Sequence, residues 1–221
     1  MPGNEASGRF SWAGRRARFP WFSATVIVLV AASETATHFK PSWNTALSNH
    51  FAIDWNVLTH GEVHRFLFSP FFQANAGFSW TILLLVGTSL PLFEICWGTV
   101  RAAVTFFAGD FLSSTTVLLV LRLASELGNA AASRAIAHPD SGASAGCFAC
   151  IGAFCASLPR PYRGWALAAL WGFLVVRVAG WQSLSDCQHA VAAFVGMVLW
   201  AAWEAASDTR AAINPSPRGA R

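Results

Sequence analysis

The sequence predicts an all-α, polytopic membrane protein built as one bundle of six transmembrane helices. Three observations predict it. Of 221 residues, 54% are hydrophobic and only 12% are charged, whereas about a quarter of a soluble domain is charged. The charges leave long apolar stretches of membrane length between them. Four arginines, Arg9, Arg15, Arg16 and Arg18, crowd ahead of the first such stretch, where a topology signal belongs. The net charge of +4 is too scattered to mark a nucleic-acid partner. The partner that the composition requires is the lipid bilayer.

Residues 1–19 form a basic, polar, cytoplasmic tail, residues 20–204 the membrane domain, and residues 205–221 a polar tail expected to be disordered. No cleavable signal peptide is expected, because no small-x-small site follows a short apolar core. Span 1 covers 20–37. Residues 38–65 alternate polar and aromatic groups, too broken to span and too apolar to float free, and are expected to lie in the interface. Span 2 lies within 66–96, interrupted by Pro70 and the patch Gln73-Ala74-Asn75, with 78–93 its continuous part. Span 3 covers 102–121 and carries Asp110. A small, polar loop, 122–140, leads into a short span 4 at 141–158. A basic turn at Pro159-Arg160-Pro161 precedes span 5, 164–180, and span 6 covers 187–203.

Six spans put both termini on one side. That side carries Arg9, Arg15, Arg16, Arg18, Arg101, Arg160, Arg163, Arg210, Arg218 and Arg221, against Lys40, Arg65, Arg122, Arg134 and Arg177 on the other. The positive-inside rule makes the richer side cytoplasmic. The Ala-, Arg- and Gly-rich composition suggests a bacterial cytoplasmic (inner) membrane.

Gly142-Ala143-Ser144-Ala145-Gly146 opens span 4 and fits the G-x-S-x-G pattern of a hydrolase. That pattern needs a strand before it and a helix after it in a soluble α/β sheet, and here a loop precedes it, so a nucleophile elbow is excluded. Gly142 and Gly146 also form a G-x-x-x-G packing face. Ser144 is a candidate nucleophile, and His189, the histidine of span 6, is its candidate base. A neutral imidazole at similar depth can take the serine proton and return it to a leaving amine. Ala190, Ala192, Ala193 and Gly196 keep span 6 slim for a close crossing. Asp186, one turn before His189, either orients the imidazole or is a solvated carboxylate. Arg177 is expected to snorkel to the outer interface and Asp110 to find a partner in the bundle. A transport path needs several aligned acids, and only Asp110 and Glu94 lie along the spans. Cys147 and Cys150 form a C-x-x-C without a second pair, which reads as buried core rather than a metal site.

From residue 60 to about 203 the chain resembles the rhomboid family of intramembrane serine proteases. Gly61-Glu62-Val63-His64-Arg65 is similar to that family's G-E-x-W-R, with His64 in place of tryptophan. Ser69-Pro70-Phe71-Phe72-Gln73-Ala74-Asn75 is similar to P-F-x-H-x-(N/D). Glu94 to Gly98 matches E-x-x-x-G, and Gly142-Ala143-Ser144-Ala145 is similar to G-x-S-G with Ala145 for the second glycine. His189 to Gly196 matches H-x-x-(G/A)-x-x-x-G, and Phe148 falls where the family stacks a ring on its histidine.

The resemblance implies a rhomboid-like six-helix bundle in which Ser144 and His189 form a catalytic dyad. The substrate would be a transmembrane-helix protein, cleaved in or near its membrane segment, with no metal or organic cofactor. Gly142, Gln73, Asn75 and Phe148 would support the site or its oxyanion. In the family, span 2 also supplies a histidine and an asparagine to the oxyanion, and those positions fall at Phe78 and Ile82, neither a donor. The alternative that this departure implies is an inactive rhomboid-like protein that binds transmembrane helices without cleaving them.

Overall fold

The computed structural model describes residues 19–73, 79–181 and 184–213. The regular elements among them are all helices, with one isolated antiparallel bridge between Ile53 and Asp140. Ten α-helices follow in order: α1 (Trp21–Phe39), α2 (Pro41–Phe51), α3 (Trp55–Thr59), α4 (Val63–Phe68), α5 (Trp80–Trp97), α6 (Thr99–Glu126), α7 (Ala130–Ile136), α8 (Ser144–Ser157), α9 (Arg160–Trp181) and α10 (Leu184–Ile213). Five of them, α1, α5, α6, α9 and α10, are long and apolar enough to cross a membrane.

The expected fourth span is the exception. It is a helix of 14 residues, Ser144–Ser157, which rises about 21 Å at 1.5 Å per residue, against a hydrocarbon core of about 30 Å. It is also the most enclosed helix, and its Ala, Gly, Cys and Phe side chains are nearly all buried. α5, α6, α9 and α10 all pack against it. A residue that faces protein on every side has no need to be amphipathic, which is why α8 shows no polar stripe.

Close packing around α8 depends on small residues. A Cβ added at Gly109 of α6 would lie 2.1 Å from the Cβ of Ala149, and one at Gly146 would lie 2.5 Å from the Phe106 ring. On the other flank, a Cβ at Gly152 would lie 2.1 Å from the carbonyl oxygen of Ala193. One at Gly196 would lie 1.9 Å from the carbonyl oxygen of Ala149. The α8–α10 seam is therefore reciprocal, each helix lending a glycine to the other's backbone. Of the expected Gly142–Gly146 face, only Gly146 packs against a helix, because Gly142 precedes α8.

Helices α1 and α5 are locked antiparallel by two carboxylates. Glu94, near the end of α5, accepts hydrogen bonds from the amides of Phe22 (3.2 Å) and Ser23 (2.7 Å) and from the hydroxyls of Ser23 and Thr99 (2.5 and 2.7 Å). It thereby caps the first turn of α1, whose amides have no intrahelical acceptor and carry the positive end of the helix dipole. At the opposite end, Glu34 of α1 accepts from the amide of Ser79, the N-cap of α5, at 2.7 Å. Both glutamates are buried. Glu94→Gln turns an amide group toward these donors, so its midpoint of thermal unfolding in detergent is expected to fall by roughly 5 °C or more. An unchanged midpoint would refute the cap.

The expected interfacial segment, 38–65, holds the end of α1, the short helices α2 and α3 and the start of α4, and its Ile53 and Val57, with Phe66 just beyond it, pack against Leu118 of α6. Arg65 pairs with Glu62 and donates to the carbonyl of Asn49 at 2.9 Å, so the Gly61–Arg65 motif ties this segment together. Four expected boundaries change. The leading part of span 2 is instead the end of α4 and a 3-10 helix, Ser69–Phe71, with α5 starting only at Trp80, and Arg160 and Pro161 of the expected basic turn already open α9. The loop 122–140 contains the last turn of α6 and all of α7, capped by the Asn129 side chain. The tail expected to be disordered from 205 continues α10 to Ile213, because Ala205, Ala206, Ala211 and Ala212 are strong helix formers. Residues 214–221 and the basic tail 1–18 lie outside the described residues.

Candidate active site

Ser144 is the first residue of α8, preceded by Ala143 as N-cap. The first bond of the helix runs from the Cys147 amide to the Ala143 carbonyl, so the amides of Ser144, Ala145 and Gly146 precede the ladder at its positive end. The approach to this turn is held in place. Ile53 and Asp140 exchange both backbone hydrogen bonds, at 2.8 and 2.9 Å, which fixes the chain two residues before Gly142. Gly142 then adopts φ +149°, and a Cβ there would lie 2.6 Å from Oε1 of Gln73. Only glycine both takes that backbone shape and leaves room for the carboxamide.

His189 projects from α10 toward this turn. Its Nε2 lies 2.8 Å from Oγ of Ser144, within hydrogen-bond reach for a nucleophile and its base. The ring is nine-tenths buried and stacks on Phe148, centroids 4.4 Å apart and planes at 25°. Phe148 is one turn beyond Ser144 on α8 and stacks in turn on Phe173 of α9, at 6.2 Å and 13°. Ring orientation is thus set by a serine at one edge and an aromatic face beneath.

Behind the pair lie two polar assemblies. Asp186 of α10 is fully buried, and its Oδ1 receives both Nε and Nη2 of Arg177 at 2.8 Å. The same oxygen is 3.9 Å from Nδ1 of His189. Gln188, next to His189, reaches Ser114 of α6 at 3.5 Å and also donates to Asp140. Burial lifts the Asp140 carboxyl above its usual range, and the bonds from Gln188 and the Ser141 amide oppose that rise. Asp110 is buried in α6, and its Oδ2 meets no hydrogen-bond partner among the described residues.

Among the sequence candidates, Ser144, His189, Phe148, Gly142 and Gln73 come together at one end of the bundle. Asn75 and Phe78 lie outside the described residues. Ile82 is buried in the main apolar core. Arg177, expected to snorkel toward the outer interface, is paired with Asp186 while 35% of its side chain stays exposed. Two of its nitrogens converge on Asp186 Oδ1 in charge-assisted hydrogen bonds, which are stronger than neutral ones. Phe173 and Gln188 were not singled out from the sequence, and no motif marks either. Cys147 and Cys150 are buried free thiols in the core. No protein-family model, curated protein or solved structure matches the chain.

Proposed function

We propose that the chain is a rhomboid-type intramembrane serine endopeptidase that cleaves a peptide bond in or near a substrate's transmembrane helix. The observation that carries this reading is the 2.8 Å contact between Ser144 Oγ and His189 Nε2, at the N-terminus of a helix too short to span. His189 Nε2 takes the hydroxyl proton as Oγ bonds to the substrate carbonyl carbon. The carbonyl oxygen becomes an oxyanion at the positive end of α8, where the Ser144 amide is its donor. Collapse breaks the carbon–nitrogen bond, and His189 returns the proton to the leaving amine. Water then enters by the same path in reverse, with His189 taking its proton, and releases Ser144 and the new carboxylate. No metal or organic cofactor takes part in this scheme. The rhomboid-like bundle of six helices would take α8 together with the five longer helices. Its setting would be a bacterial inner membrane, with both termini cytoplasmic.

The test is cleavage in reconstituted vesicles of a panel of single-span substrate proteins, read by mass spectrometry of the fragments. Cuts within or beside the membrane segment that vanish in Ser144→Ala support the protease. Ile82, an apolar side chain where the family places an oxyanion donor, favours a second reading, a rhomboid-like protein that grips transmembrane helices without cutting. Co-purification of a single-span protein left intact by the wild type would establish that reading instead.

A further inference from the structure

The reaction outlined above leaves one ion pair unused, a fully buried carboxylate held by a half-buried arginine. Asp186 Oδ1, His189 Nδ1, His189 Nε2 and Ser144 Oγ follow one another through separations of 3.9 Å and 2.8 Å on either side of the ring. Asp186 and His189 are three residues apart on α10, so the helix places both on one face. Arg177 arrives from α9 and holds the same Oδ1 with two nitrogens at 2.8 Å. For His189 to accept the serine proton at Nε2, its own proton must sit on Nδ1, the nitrogen that faces Asp186.

We propose that Asp186, kept ionised by Arg177, is a positioning residue that turns the Ser144–His189 dyad into a triad. This rests on the serine-hydrolase reading of the site. The carboxylate favours the Nδ1-protonated tautomer and stabilises the imidazolium that forms when the serine proton arrives. At 3.9 Å the interaction is one of charge rather than a hydrogen bond, and the surrounding low dielectric strengthens it. Arg177 is needed because a buried carboxylate without a cation would be neutralised, and a neutral Asp186 exerts no such field. The charged groups nearest the ring are Asp186 on its own helix and Arg177 on α9. Asp140 and Asp110 lie on the Gln188 side, toward the segment before α8 and toward α6.

The test uses the full chain in detergent and a fluorophosphonate probe. Oγ bonds to phosphorus, the phosphorus–fluorine bond breaks, fluoride leaves and the serine proton passes to His189. Asp186→Asn, and Asp186→Asn combined with Arg177→Gln, are expected to react about 10- to 100-fold more slowly, short of the loss seen when a hydrogen-bonded triad carboxylate is removed. Arg177→Lys keeps a cation beside the carboxylate but loses one of the two contacts to Oδ1, so its rate is expected to fall between those of the wild type and Asp186→Asn. The double variant removes both charges together and so leaves neither group without its counter-ion. If it is folded and reacts as fast as the wild type, the pair only ties α9 to α10 and the proposal fails. A measurement on the unaltered protein decides the case even if both Asp186 variants unfold. Nitrogen-15 NMR, with the signal assigned by its loss in His189→Gln, is expected to show a protonated Nδ1 and a bare Nε2. The opposite tautomer overturns the proposal. A wild type that never labels refutes the hydrolase reading, and the tautomer still reports on Asp186 separately.

Discussion

Ser144→Ala is expected to abolish covalent labelling by a fluorophosphonate, and His189→Ala to slow it by about 10³-fold or more. A serine hydroxyl alone is a weak nucleophile, so labelling reports the base beside it rather than the serine. Here the base is 2.8 Å away and its ring is held against Phe148, so no rearrangement is needed before proton transfer. The measurement is the rate of fluorophore incorporation into the solubilised chain, with circular dichroism as the fold control. Labelling of the wild type that persists in Ser144→Ala places the reactive group elsewhere and removes the basis for the protease. Absence of labelling in a folded wild type points instead to the binding reading.

Gly196→Val is expected to disable the protein from the other side of the bundle. A Cβ at Gly196 meets the Ala149 carbonyl at 1.9 Å, and one at Gly152 meets the Ala193 carbonyl at 2.1 Å. Both obstacles are helix backbone, which cannot turn aside as a side chain can. The helices must therefore separate, and overpacking of this kind costs about 1–3 kcal/mol, occasionally more. His189 is two turns from Gly196 on α10, so a displacement there moves the imidazole off Ser144. Gly152→Ala and Gly196→Val are expected to lower the unfolding midpoint and to lose most labelling together. Gly87→Ala and Gly172→Ala supply the contrast, since a Cβ at either meets nothing within 4 Å. Those two are expected to be neutral or stabilising by up to about 1 kcal/mol, because alanine is the better helix former. Equal damage from all four would show that the seam has no special role.

The spans were legible because a bilayer imposes one rule, long apolar runs with few charges, and α1, α5, α6, α9 and α10 obey it. The Ser144–His189 meeting was legible because an intramembrane histidine and a serine among small residues lie at the same depth once the helices alternate in direction. Other features depend on which side chains meet across helices, which periodicity does not encode. Arg177 and Asp186 are nine residues apart in sequence, one on α9 and one on α10, and no sequence pattern pairs them. The seam glycines, Gly152 and Gly196, are ordinary small residues until the crossing point of α8 and α10 is known. The helix beyond residue 205 was hidden for a different reason: alanine interspersed with polar groups is strongly helical yet poorly hydrophobic, and a reading tuned to hydropathy stops too early.

The paired glutamates of α1 and α5 also bear on how the chain assembles. Each of these helices carries into the bilayer an acidic group whose satisfying amides belong to the other. Glu34 has the Ser79 amide, and Glu94 has those of Phe22 and Ser23. Neither helix is therefore a self-sufficient insertion unit, since a lone carboxylate in lipid is costly. Antiparallel alignment is the arrangement that brings both acids to the ends where amides await them, so the pair proofreads its own orientation. An α5 inserted the wrong way round would hold both carboxylates at one surface and leave both first turns bare. The relative direction of α1 and α5 is thus recorded in the acids that the two helices carry.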